Sequence, residues 1–272
     1  MSISWKRVGT VIVLLLALAA CATSPTGRRQ LMLVSEQEAI SQSALAYVQM
    51  IQPLEEQGKV DNDPALKRRI DRITGRLVTE AIAMRPATRD WKWSMKIIDE
   101  PETVNAWCMA GGRMALYTGM VDKLGATDDE LAQVIGHEIG HALANHTAEK
   151  MSVAIASSLG VAAISIASDQ PGAATAASVA AVLAIQLPNS RAAESEADRI
   201  GIELAARAGY DPRAAISLWR KMESVSGGGP PQFLSTHPSA GTRQERLAAL
   251  VNEMMPLYLE DRPRRVHPLF AG

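Results

Sequence analysis

Two histidines four residues apart, with a glutamate directly after the first, stand at His137, Glu138 and His141. On a helix, positions i and i+4 lie one turn apart on one face, so both imidazoles can grip a single metal ion. Glu138 is then close enough to polarise a water at that ion, which is the arrangement of metal-assisted hydrolysis. The chain has only five histidines. A chance match of this kind is expected in fewer than about one in a hundred chains of such composition.

A catalytic zinc site takes three protein ligands and leaves its fourth position to water. In the extended form of the motif a glycine and a third histidine would follow, but Ala144 and Thr147 stand there, so that class is excluded. His146 lies about 180° around the same helix from His137 and is expected on its solvated face. Arg191 to Asp198 offers carboxylates instead. Glu194 and Asp198 are i and i+4 and share a face, whereas Glu196 points away from both. One of the pair can bind the metal while the other holds a ligating imidazole by its second nitrogen. The same residues also fit an exposed face laced by Arg191 and Arg199.

These residues need elements to position them. Ser35 to Glu38 has capping-box spacing and predicts a helix to about Ile51, stopped by Pro53. Asp63-Pro64 opens a second helix, with Leu66, Ile70, Ile73, Leu77 and Ala81 at helical spacing until Pro86. From Trp91 to Ile97 the period changes to two, which argues a strand with one buried face. Val104 to Met109 and Arg113 to Thr118, joined across Ala110-Gly111-Gly112, read as a hairpin. Thr127 to Glu130 is a second capping box and launches the motif helix through about Lys150. Helices follow over Arg191 to Arg207, from Asp211-Pro212 to about Val225, and over Thr242 to Glu253. Ser226 to Pro231 reads as a loop leading to His237, and that segment is expected to lack regular structure. The expected class is α+β: many helices around one small antiparallel sheet.

Met151 to Leu187 is rich in Ala, Ser, Val and Ile and carries no charge except Asp169. A buried or oligomer-facing helical hairpin fits it. A hairpin dipping into the bilayer also fits the absence of charge, although Ala and Ser insert poorly and each arm is marginal in length.

Lys6 and Arg7 precede an apolar run, Val8 to Ala20, which reads as a secretory signal. It closes on Leu18-Ala19-Ala20-Cys21, which resembles a bacterial lipobox. That resemblance implies a lipidated Cys21 as first mature residue and, from Ala22, sorting to the outer membrane; a plain cleavage site is the alternative. The expected organisation is a signal over 1–20, a lipidated amino terminus and polar linker over 21–34, one domain over 35–255, and a tail over 256–272.

Composition adds exclusions. Of 272 residues, 47% are apolar and 21% charged, ordinary for a globular chain and unlike a disordered one. Twenty-eight basic against 29 acidic side chains leave a net charge of −1, so there is no electrostatic footprint for nucleic acid. Two cysteines make no disulfide scaffold, and Cys108 reads as a buried strand residue rather than a nucleophile.

The zinc motif followed some fifty residues later by Glu194-Ser195-Glu196-Ala197-Asp198 resembles the gluzincin family of HtpX-, Oma- and CAAX-protease-like zinc peptidases, most of all its periplasmic BepA, LoiP and YcaL group. Further matches are Thr103 to Trp107 with Gly111 to Arg113, Tyr117 to Met120, and Ser235 to Pro238 followed by Arg243. The resemblance implies a mostly helical zincin-type domain whose edge strand lines the active-site cleft. It implies one zinc ion per chain on His137, His141 and Glu194, with Asp198 behind them and Glu138 moving the proton. It makes Asn105, Ala106 and Trp107 part of the strand to which an extended substrate adds. It matches His237 to a histidine that can reach the zinc from a loop, latching the enzyme or assisting catalysis; a capping or packing role is the alternative. Tyr210, His237 and Arg243 are candidates for oxyanion support. Trp107-Cys108 departs from the more common Phe-Ala, a difference that bears on subsite shape. The function implied is a lipid-anchored periplasmic zinc endopeptidase acting on unfolded or misassembled envelope proteins, with outer-membrane assembly machinery as a partner. A non-proteolytic assembly factor using the same cleft is the rival.

Overall fold

The structure, a computed structural model, describes residues 21–167, 189–225, 232–238 and 242–271. The expected signal over 1–20 lies outside the described residues, as does the second half of Met151 to Leu187.

In chain order the elements are β1 (Cys21–Thr23), β2 (Arg29–Leu31), α1 (Glu36–Glu56), α2 (Pro64–Met84), β3 (Ser94–Ile98), β4 (Ala106–Cys108), β5 (Arg113–Tyr117), α3 (Gly119–Asp122), α4 (Asp128–Leu143), α5 (His146–Ala167), α6 (Arg191–Arg207), α7 (Ala214–Ser224), α8 (Gln232–Thr236) and α9 (Arg243–Leu259). The class is α+β, as expected.

The centre of the molecule is α4. Every residue from Glu130 to Leu143 is buried, and α2, α5, α6, α7 and β4 all pack against this helix. Its start is a complete capping box: Thr127 Oγ1 accepts from the Glu130 amide, and Glu130 Oε2 accepts from the Thr127 amide. The helix ends seven residues before Lys150. Asn145 turns into the left-handed region at φ 56°, a conformation its short polar side chain tolerates, and α5 leaves in a new direction from His146.

The main sheet has the order β3-β5-β4. β4 and β5 form the expected hairpin, with Cys108 opposite Met114. Gly111 and Gly112 take φ +87° and +84° in its turn, and a Cβ on Gly112 would meet the Trp93 ring at 2.6 Å. β3 pairs with β5 in parallel, so the sheet is mixed rather than purely antiparallel; the chain crosses over before it returns. The predicted strand begins three residues late, because Trp91 follows a 3-10 turn over Pro86–Asp90. Both its faces are covered: Met95 and Ile97 join the core under α2, while Ile98 packs with Tyr47 and Ile51 of α1.

Three further expectations are corrected by packing. α1 runs through Pro53 for another turn; the carbonyl that loses its donor belongs to exposed Gln49, where water can replace it. The final helix reaches Leu259, and the segment after it docks on the body: the His267 amide donates to the Gly75 carbonyl at 2.9 Å and the Phe270 amide to Trp93 at 2.8 Å. Residues 21–31 form a two-stranded antiparallel hairpin rather than a free linker.

No helix among the described residues is long and apolar enough to cross a membrane. In α5, Met151 and Ala154 are buried against Val34, Ala39 and Ala110.

Candidate metal centre

α4 and α6 cross in near-contact because both carry small residues at the crossing. A Cβ on Gly136 would lie 2.8 Å from the Gly201 carbonyl, and one on Gly140 would lie 3.0 Å from that of Ala197. This approach carries Glu194 and Asp198 of α6 across the histidines of α4.

Four donor groups converge there: His137, His141, Glu194 and His237. The Nε2 atoms of His137 and His141 are 3.1 Å apart. His237 Nδ1 is 3.3 Å from His137 Nε2 and 3.0 Å from Glu194 Oε1. His141 Nε2 lies 3.3 Å from Glu194 Oε1, and His137 Nε2 lies 3.4 Å from Glu194 Oε2. A tetrahedral zinc with bonds of about 2.05 Å separates its ligand atoms by about 3.3 Å. The cluster therefore has the size of a zinc coordination shell. Its chemistry agrees: Glu194 is only 1% exposed, yet its Oε2 receives no hydrogen bond. A buried carboxylate oxygen without a donor suits a cation.

Asp198 stands behind the cluster, with Oδ1 3.1 Å from His137 Nδ1 and 2.6 Å from Arg243 Nη2. Burial opposes charging His137, but Asp198 and Glu194 outweigh it and hold its pKa up to about 9. At His141 burial prevails and the imidazole stays neutral. Burial would also raise Glu194, but His137, His141 and His237 around it keep its carboxylate ionised.

Glu138 follows His137 on α4 and is buried. Burial raises its carboxyl above the usual range, against the pull of His237 and His137. It lines a cleft of about 500 Å³ together with His141, His237, Asn189, Lys150 and the strand residues Asn105 to Met109. β4 is the sheet's edge on this side. Asn105 and Met109 exchange backbone bonds with β5, and Trp107 opposes Ala115. Alternation then turns the backbone groups of Ala106 and Cys108 to the open edge. The Ala106 amide is already engaged by Asn105 Oδ1 at 2.9 Å. The Trp107 side chain rests edge-on against Tyr47, with ring centroids 5.9 Å apart. The Cys108 thiol is buried, and burial pushes its pKa well up, so it remains a strand residue.

Sequence reasoning misplaced several neighbours. His146 is not solvated: the Asn145 turn buries it, with Nδ1 2.7 Å from His141 Nδ1 and Nε2 3.1 Å from Glu196 Oε2. Glu196 does point away from Glu194, but into this second buried network. His237 follows the helical turn α8, pinned by fully buried Phe233, on whose ring it stacks at 4.3 Å; the residues 226–231 lie outside the described ones. Arg243 pairs with Asp198, lies over the face of Trp219, 3.3 Å from its centroid, and from behind the cluster places Nη2 3.6 Å from Glu194 Oε2. Tyr210 sits by Arg76. Neither reaches the cleft, so of the three oxyanion candidates only His237 faces it. Asn189, 3.5 Å from His141 Nε2, had no signal in the sequence. The turn at Asn145 had one, since asparagine is among the few residues that end a helix in this way.

The family model described as Peptidase family M48 matches residues 64–251. The chain is 37% identical over 170 residues to the mitochondrial metalloendopeptidase OMA1 of Arabidopsis thaliana, covering 62% of this chain and 34% of the plant protein. It is 30% identical over 245 residues to the mitochondrial metalloendopeptidase OMA1 of Homo sapiens, covering 85% of this chain and 46% of the human protein. With the β-barrel assembly-enhancing protease of Escherichia coli strain K12 it shares 28% identity over 209 residues, 73% of this chain and 42% of that protein. The chain thus matches about a third to a half of the length of these relatives.

Proposed function

The chain belongs to peptidase family M48, and from that premise we propose that it is a zinc endopeptidase that cleaves extended segments of unfolded or misassembled envelope proteins. The observation that carries this reading is the buried cluster of His137, His141, Glu194 and His237, sized for zinc and set beside Glu138 at an open strand edge.

Zinc held by His137, His141 and Glu194 would supply Lewis acidity at the scissile carbonyl. The substrate backbone adds to β4 by hydrogen bonds to the Ala106 carbonyl and the Cys108 backbone, which aligns an extended chain across the cleft and rejects folded ones. Glu138 takes the proton of the attacking water and delivers it to the departing amine nitrogen. Asp198 holds His137 from behind, and Arg243 keeps Asp198 ionised and in place. The relatives named above are all proteases, and one of them is named for β-barrel assembly, which supports an envelope substrate. The rival reading, an assembly factor that only holds its clients, has no use for a buried Glu138 beside the cluster.

The test is cleavage of an unfolded protein by the zinc-loaded chain against its Glu138→Gln variant. Loss of cleavage with zinc retained supports the peptidase. Equal cleavage by both, or none by either, sinks it.

We further propose that Cys21 is lipidated and tethers the protein to the outer membrane, facing the periplasm. The basic and apolar run before Leu18-Ala19-Ala20-Cys21 supports this. Cys21→Ser should move the protein from the membrane to the soluble fraction. Persistent membrane association would favour contact through Met151 to Leu187.

A further inference from the structure

The amino-terminal hairpin does not simply rest on the domain. Arg28, between β1 and β2, donates from Nε to Glu196 Oε2 at 2.7 Å and from Nη1 to Glu149 Oε1 at 2.7 Å. Thr26 Oγ1 donates to the other oxygen of Glu196. Gln30 Nε2 donates to the Ala144 carbonyl at 2.7 Å, at the turn that ends α4. Glu196 and His146, which stand between this hairpin and His141, are both buried. The Glu196 carboxylate meets the Arg28 guanidinium and the His146 ring at the same oxygen, Oε2.

A metal on His141 Nε2 leaves that ring's hydrogen on Nδ1, and the chain of contacts has an acceptor for each hydrogen in turn. The Glu196 oxygen that accepts from Arg28 also faces His146 Nε2 at 3.1 Å, so a hydrogen on that nitrogen finds its acceptor there. His146 Nδ1 can then accept the Nδ1 hydrogen of His141, 2.7 Å away. That leaves His141 Nε2, the atom turned to Glu194 and His137, with a free lone pair for a metal. The tautomer of a metal-binding histidine is set by what its other nitrogen touches.

We propose that the hairpin is a working part of the metal centre: Arg28, Glu196 and His146 are positioning residues that fix the tautomer and ring orientation of His141. The proposal rests on the metal-centre reading of the cluster but not on the reaction performed there. Glu196→Leu is the informative change, because it leaves the His146 Nε2 hydrogen without an acceptor. Without that acceptor the His146 ring, and the His141 ring it touches, are no longer held in place.

Zinc affinity is measured on the full chain in detergent by competition with a chromophoric chelator, and the cobalt-loaded protein is read by its visible absorption. Arg28→Ala, Glu196→Leu and His146→Phe should each weaken zinc by about 10- to 100-fold and shift the cobalt bands. Arg29→Ala, an exposed change on the same hairpin, should leave both unaltered. A hairpin that only stabilises would lower the unfolding midpoint of the metal-free protein without moving affinity or spectrum. That result, or wild-type affinity in Arg28→Ala (a change at a half-buried residue that leaves Glu196 and His146 themselves in place), overturns the proposal. Failure of the wild-type chain to bind zinc would instead overturn the metal-centre reading beneath it.

Discussion

Gly201 of α6 lies so close to His137 of α4 that a Cβ built on it would stand 2.6 Å from the His137 backbone nitrogen. Two helices far apart in sequence thus touch backbone to backbone at the first histidine of the motif, and their separation sets how far Glu194 reaches across.

Gly201→Ala should therefore do two things. The overpacked methyl should cost about 1–3 kcal/mol in urea unfolding of the metal-free protein. Zinc affinity should fall as well, since Glu194 is carried away from His137 and His141 with its helix. Unchanged stability and unchanged affinity would show that the crossing does not set the centre.

Glu194 and His237 both stand at corners of the cluster, but they should respond differently. Glu194→Ala removes the buried anion among three imidazoles and should abolish stoichiometric zinc in metal analysis. His237→Ala should keep the metal on His137, His141 and Glu194, and hydrolysis of an unfolded protein should rise as the fourth corner opens. A large fall in hydrolysis with zinc retained would mean that His237 supports the reaction rather than restrains it.

Glu130 couples the start of the motif helix to pH. Burial would raise its pKa, but Lys221 at 2.6 Å, Ser217 and the Thr127 amide bring it below its ordinary value of 4.5. A carboxylate depressed in the folded state contributes stability above its unfolded pKa and loses that contribution as pH falls through the folded one. Glu130→Gln should cost about 1–2 kcal/mol at neutral pH. The difference from wild type should shrink as the pH falls below the ordinary carboxylate range. A difference of the same size in urea titrations at pH 7 and at pH 3 would refute the assignment.

What the sequence determined by itself was local. The spacing of His137 and His141 put both imidazoles on one helical face, and Thr127 with Glu130 located the start of that helix. Glu194 and Asp198 shared a face for the same reason, and Gly111-Gly112 located the hairpin turn. Each is a relation between residues a few positions apart, where helical or strand geometry leaves little freedom. The carboxylate that reaches the histidines, the position of His237, the withdrawal of Arg243 behind Asp198 and the burial of His146 against Glu196 were decided only in three dimensions. Each joins segments separated by tens of residues, and their distances depend on the glycine-lined crossing of α4 and α6. The turn at Asn145 and the docking of Arg28 belong to the same category. A continuous helix would have pointed His146 elsewhere, and a polar amino-terminal stretch shows its anchoring carboxylates only once α5 and α6 stand beside it.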